Sequence, residues 1–194
     1  MRGSCVDRAK AACAVVALLA CGIAPSMAGG AACPNGNDGM GGAPPQDASG
    51  APYPVILMMP YAGGDATAYD FVAPRLVSWG LVVVCVGQNQ ADPSSGNAND
   101  LNDLLDQLER GNATSGHALF GMIDRGAYGI SGHSRGGAYS IYHGWPVSRI
   151  RAVQAMAPAL SQGDVDTVAR LPAKPFEVQV GRLDGSFWAV SMYA

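Results

Sequence analysis

Two short runs of consecutive apolar residues constrain this chain more than any other feature. Residues 55–60 read VILMMP and residues 81–86 read LVVVCV. Neither alternates apolar with polar, so each is expected as a strand covered on both faces, and each is too short for a buried helix. Between and after them the period changes. Residues 66–79 carry Tyr69, Val72, Leu76 and Val77 near helical spacing, with Pro74 inside to shorten or kink the helix. Residues 99–110, NDLNDLLDQLER, put Leu101, Leu104, Leu105 and Leu108 on one helical face, and Gly111 is a fit terminator. Further strands are predicted in AYGIS (127–131), IRAVQAMAP (150–158) and FEVQVG (176–181), and a further helix over 135–145. Strands divided by helices imply βαβ units with right-handed crossovers. The fold class is therefore α/β, a doubly wound, mostly parallel sheet of about five core strands.

The chain begins with what reads as an export signal. Arg2, Arg8 and Lys10 precede the apolar stretch AACAVVALLA (11–20), and SMA (26–28) gives a small-x-small cleavage pattern before Gly29. The expected organisation is a signal peptide over 1–28, a disordered Gly/Pro-rich linker over 29–52 and a domain over 53–194. The expected location is secreted or periplasmic. The alternative is a lipid anchor, because LLAC (18–21) resembles a bacterial lipobox that would lipidate Cys21. Cleavage after Ala28 leaves Cys33 and Cys85. An exported protein could oxidise that pair, but Cys85 sits in the apolar run 81–86, which favours a buried free thiol, and the spacing offers no metal site. The net charge of −3 provides no basic face for nucleic acid. Beyond the N-terminus no apolar run is long enough to span a membrane.

The chemistry points to residues 128–139, YGISGHSRGGAY. Gly132, His133, Ser134, Arg135 and Gly136 fit G-x-S-x-G. With 26 glycines in the chain the pentapeptide alone is weak, but here it follows a predicted strand and opens a predicted helix. That is the setting of a nucleophile elbow, a tight turn that exposes a serine hydroxyl in a strained backbone conformation. Gly132 and Gly136 are expected to give room where strand and helix meet, and Gly137 to add slack. The peptide N–H of Arg135, at the helix start, would face a developing oxyanion. No Gly-Lys-Ser/Thr is present and the first βα loop, PYAGGDA, lacks G-x-G-x-x-G, so nucleotide phosphate sites are poorly supported.

From about Tyr53 to Asp184 the chain resembles the α/β-hydrolases around the secreted cutinase-like polyester hydrolases, the platelet-activating-factor acetylhydrolases and the chlorophyllases. The likeness is carried by YPVILMMPYAGGDATAYDFVAPRLVSWGLVVVCV and by IDRGAYGISGHSRGG. The form Gly-His-Ser-Arg-Gly-Gly is the one found in chlorophyllases. The resemblance implies Ser134 as nucleophile, Arg135 and Ala62 as peptide donors of an oxyanion hole, and Asp184 as the acid that orients a histidine. It implies no cofactor and a small-molecule or lipid-like ester as substrate. The family order is serine, acid, histidine, yet GSFWAVSMYA after Asp184 holds no histidine, and His117, His133 and His143 all read as structural or surface residues.

The expectation is thus a fold shortened at both ends. The C-terminal strand and helix are missing, and the linker stands where the family has antiparallel strands. A truncated or shifted reading frame, a degenerate hydrolase and a substitute upstream histidine are the three explanations. The function expected is an exported serine hydrolase acting on carboxylic esters. The alternative is a non-catalytic or degenerate α/β-hydrolase-fold binding protein. Polyester hydrolases usually carry Met after the serine and Trp in the strand-six loop. This chain has Arg135 and Ala157-Pro158-Ala159 there, which argues for a small or lipid-like ester over a polymer.

Overall fold

The computed structural model describes residues 40–43, 48–87, 98–160 and 169–181. Six strands form one sheet: β1 (Met40–Ala43), β2 (Tyr53–Met59), β3 (Val82–Val86), β4 (Ile123–His133), β5 (Ile150–Met156) and β6 (Phe176–Gln179). Their spatial order is β1-β3-β2-β4-β5-β6. The five strands from β2 to β6 are parallel, and β1 joins the edge antiparallel to β3.

The two apolar runs have the double burial expected of them. Val55, Leu57, Met59, Val82, Val84 and Val86 enter one core with the leucines of helix α2 (Ala98–Ala113). The alternate residues Ile56, Met58, Val83 and Cys85 enter a second core with Tyr69, Leu76 and Val77. Side chains in a strand alternate between faces, so only a continuous apolar run can feed both cores. In α2, Leu101 and Leu105 are almost wholly removed from water, each worth roughly 1.5–3 kcal/mol of burial.

Several expectations are corrected. The segment read as linker contributes β1, paired from Met40 to Ala43 against Val86 to Val83, and a 3₁₀ turn over Ala48–Gly50. The predicted helix at 66–79 is two pieces, a 3₁₀ turn (Ala66–Tyr69) and helix α1 (Ala73–Ser78). Pro74 lies in the first turn of α1, where its missing N–H costs nothing, so it starts the helix instead of kinking it. Gly111 does not end α2, which runs on to Ala113. A Cβ there would lie 2.6 Å from the His117 ring, so this glycine answers to packing. Cys85 is not a free thiol but disulfide-bonded, and its partner lies outside the described residues. Pairing of β1 with β3 sets Gly41 opposite Cys85, a neighbour that local periodicity does not encode.

Chain order places the site. From β2 the chain crosses to β3 on one side, then returns through α2 to β4 on the other side of β2. The reversal falls between β2 and β4. A crevice opens at such a switch point, outside the carboxyl ends of the strands.

Candidate active site

Met59 is paired with Gly132 at the carboxyl ends of β2 and β4. The loop 60–64 and the turn at Ser134 therefore leave the sheet side by side. Ser134 has φ 56° and ψ −118°, left-handed for a residue with a Cβ. It caps the short helix α3 (Arg135–Tyr139), which continues as one π-helical turn over Ser140–Gly144. Backbone bonds fix the strained residue from both sides. Its N–H donates to the Met156 carbonyl at 2.9 Å, and its own carbonyl accepts from Ala138 at 3.0 Å and Ala159 at 2.9 Å. The hydroxyl makes no hydrogen bond among the described residues, and the residue is half-buried.

The glycines around it are required by contact. A Cβ on Gly132 would lie 2.4 Å from the Gly136 carbonyl carbon and 2.7 Å from the Met59 oxygen. On Gly136 it would lie 2.1 Å from the Met59 oxygen and 2.6 Å from the Pro60 oxygen. These neighbours are backbone atoms with no rotamer to yield. Gly137, expected to add slack, is also tight: a Cβ there would lie 3.0 Å from the Gly132 oxygen and 3.1 Å from Pro158.

Across from the elbow, Gly64 N–H donates to the Tyr61 carbonyl at 2.9 Å and Gly63 takes φ 82°. This is the pattern of a type II turn, with Ala62 at its first corner. The Ala62 N–H donates to no described residue. The Tyr61 ring is exposed and meets the His133 ring edge-on at 6.2 Å. These two rings flank the turn at the surface. Arg135 is exposed.

The other two histidines are occupied elsewhere. The His117 Nδ1 accepts from Leu119 N–H at 3.1 Å, in the loop before β4. The His143 ring lies 4.7 Å from the Tyr139 ring, within the π turn. Asp184 lies outside the described residues.

Two residues at the site carry no signal in the sequence reading. Tyr69, by its spacing an ordinary apolar helical position, donates its hydroxyl to the Met59 carbonyl at 2.6 Å and accepts from His133 N–H at 2.8 Å. Burial pushes its pKa up to about 12, against the lowering effect of the His133 N–H. Ala157 takes φ 40°, with its N–H on the Gln179 carbonyl at 2.6 Å. A second strained residue thus adjoins the first, because Ala159 holds the Ser134 carbonyl. A lone Ala gives no hint of a left-handed conformation, so no inspection of local sequence would have found it.

A parallel sheet with helices between its strands, a strained serine between a strand and a helix, and a glycine-lined turn beside it define an α/β-hydrolase. The chain belongs to the PET hydrolase-like family, whose model matches residues 29–173. The match takes in the residues of β1. No curated protein matches the chain. Family membership makes it an ester hydrolase by type. Among the described residues no helix is long and apolar enough to cross a membrane.

Proposed function

We propose that the protein is an exported serine esterase in which Ser134 attacks the carbonyl carbon of a small or lipid-like carboxylic ester. The observation that carries this reading is the Ser134 backbone, held at φ 56° by three hydrogen bonds and by glycines that admit no Cβ. Strain of this kind persists where the surrounding structure imposes it, and such positions cluster at active sites. The hydroxyl oxygen forms a bond to the carbonyl carbon while its proton passes to a base. The carbonyl electron pair moves onto oxygen, where the N–H groups of Arg135 and Ala62 stabilise the charge. Collapse expels the alcohol and leaves an acyl-enzyme, which water then hydrolyses by the same steps.

Asp184 is assigned the role of orienting the base. His117, His133 and His143 each lack a hydrogen bond to the Ser134 hydroxyl among the described residues, so the base is assigned to none of them. Export rests on the signal-like residues 1–28. The preference for a small or lipid-like ester over a polymer rests on Arg135 after the serine and on Ala157-Pro158-Ala159 beside it.

The test is hydrolysis of p-nitrophenyl acetate and butyrate by wild type and Ser134→Ala. The expected result is a fall in kcat/KM of about 10³-fold or more in the variant, with a fluorophosphonate labelling the wild type alone. Equal slow rates from two folded proteins would leave an α/β-hydrolase-fold binding protein in place of an enzyme.

A further inference from the structure

We infer that Tyr69 is a positioning residue for this site, setting the distance between the nucleophile turn and the oxyanion loop through its hydroxyl. The inference rests on the esterase reading above. It starts from the ladder between β2 and β4. Met59 and Gly132 are their last paired residues. In an evenly spaced parallel ladder the next rung would join His133 N–H to the Met59 carbonyl. Here those two groups are bridged by the Tyr69 hydroxyl, which accepts from His133 N–H at 2.8 Å and donates to the Met59 oxygen at 2.6 Å. One hydroxyl thus ties both strands together at the rung where they give way to the two halves of the site.

The location gives this bridge its consequence. His133 immediately precedes Ser134, and Met59 immediately precedes Pro60 and the turn that carries Ala62. The start of α3 packs tightly against this rung, since a Cβ on Gly136 would come within 2.1 Å of the Met59 oxygen. Removing the hydroxyl takes a partner from a buried carbonyl and from an N–H at this contact, and so shifts the serine relative to the peptide donors that receive the oxyanion.

Tyr69 is itself fixed. It is 3 % exposed, packed in the core with Ile56, Met58, Leu76 and Val77, and carried on the 3₁₀ turn that Asp65 caps through Thr67 N–H at 2.8 Å. Burial keeps the phenol protonated at ordinary pH, so the hydroxyl retains its proton for Met59 and its lone pair for His133. Phenylalanine would fill the same volume and delete only the bridge.

The experiment compares wild type, Ser134→Ala, Tyr69→Phe and Val77→Ala on p-nitrophenyl butyrate, with kcat and KM determined separately and folding followed by thermal melting. Val77→Ala removes packing from the same core without touching the bridge and calibrates the effect of lost stability. The expected result is a fall in kcat of about 10- to 100-fold in Tyr69→Phe at unchanged KM, since misplacement near 1 Å costs about that much in rate. Val77→Ala should keep wild-type kcat below its melting point. If the wild type clearly outruns Ser134→Ala while Tyr69→Phe matches the wild type, this inference is overturned and the esterase reading stands. Equal falls in Tyr69→Phe and Val77→Ala overturn it too, because stability alone would then explain the loss. A wild type no faster than Ser134→Ala overturns both.

Discussion

At the scale of single residues, the site is built by what glycine permits and what other residues tolerate. Gly136 and Gly63 separate two causes. A Cβ at Gly136 meets the backbone oxygens of Met59 and Pro60, whereas Gly63 has open space around it and only its φ of 82° to satisfy. Gly136→Ala should cost roughly 1–3 kcal/mol or more through overpacking and should remove activity with it. Gly63→Ala should cost about 1 kcal/mol from left-handed backbone alone. Urea midpoints at constant slope measure both; equal costs would mean that the elbow can breathe more than its contacts imply. Ser134 and Ala157 pay similar conformational strain with no such relief, and both sit where the sheet opens. How the residues divide between legible and hidden follows from this. Ser134 and its glycines were legible because a tight turn between a strand and a helix demands a local motif. Tyr69 and Ala157 were not, because a tyrosine in an amphipathic segment and an alanine after a strand look the same whether or not they touch an active site.

Among elements, α2 and the β1 edge differ in how the sequence announces them. Helix α2 advertises itself through a leucine stripe, and its packing gives the expected cost of truncation. Leu105→Ala should destabilise by roughly 2–5 kcal/mol, read from the urea midpoint. A loss below 1 kcal/mol would mean that α2 packs on the sheet far more loosely than its burial shows. The other side of α2 is tied down by charge. Arg149 donates to the Asn102 carbonyl at 2.7 Å and pairs with Asp106 at 2.7 Å, while Arg125 pairs with Glu109. These pairs lie at or near the surface, where each is worth at most about 1 kcal/mol, so they orient the helix more than they hold it. Strand β1 is four residues long and glycine-rich, with no pattern to identify it. Its hold on the sheet is backbone pairing with β3 at Gly41–Cys85 and its neighbours. With Cys85 in a disulfide, thiol reduction should lower the melting temperature, and a Cys85→Ala variant should melt low with or without reductant. A wild type indifferent to reductant would contradict this.

For the whole molecule, the sheet separates two cores, and each buries a tyrosine whose ionisation the fold opposes. Tyr69 belongs to one and Tyr128 to the other. Tyr69 is raised from 10.0 to about 12 by burial, and Tyr128 is raised further by burial and by the Glu109 carboxylate. The unfolded chain would ionise both near pH 10. Below that pH both states hold the proton and the stabilisation is fully present. Between pH 10 and 12 the unfolded chain releases protons that the folded chain keeps, so stability falls as pH rises. Tyr69 alone contributes a decline on the order of 2 kcal/mol across that window. Denaturation midpoints from pH 8 to 11.5 should therefore drop, and Tyr69→Phe should flatten the curve. A variant whose decline is as steep as the wild type would show that Tyr69 is not protected from ionisation.

The sequence by itself determined the two-faced strands, the alternation of helix with strand, and the serine turn. Each depends on residues near one another in the chain, and their apolar period or glycine spacing suffices to specify them. Tertiary structure decided the rest. It split the segment at 66–79 so that Pro74 begins a helix, and it recruited part of an apparent linker as β1. It drew Cys85 into a disulfide and set the hydroxyl of Tyr69 between Met59 and a peptide group 64 residues away. The physical reason is common to these cases. A hydrogen bond or pairing between distant segments exists only once packing has brought them together, and the same side chain would satisfy the local pattern equally well without it.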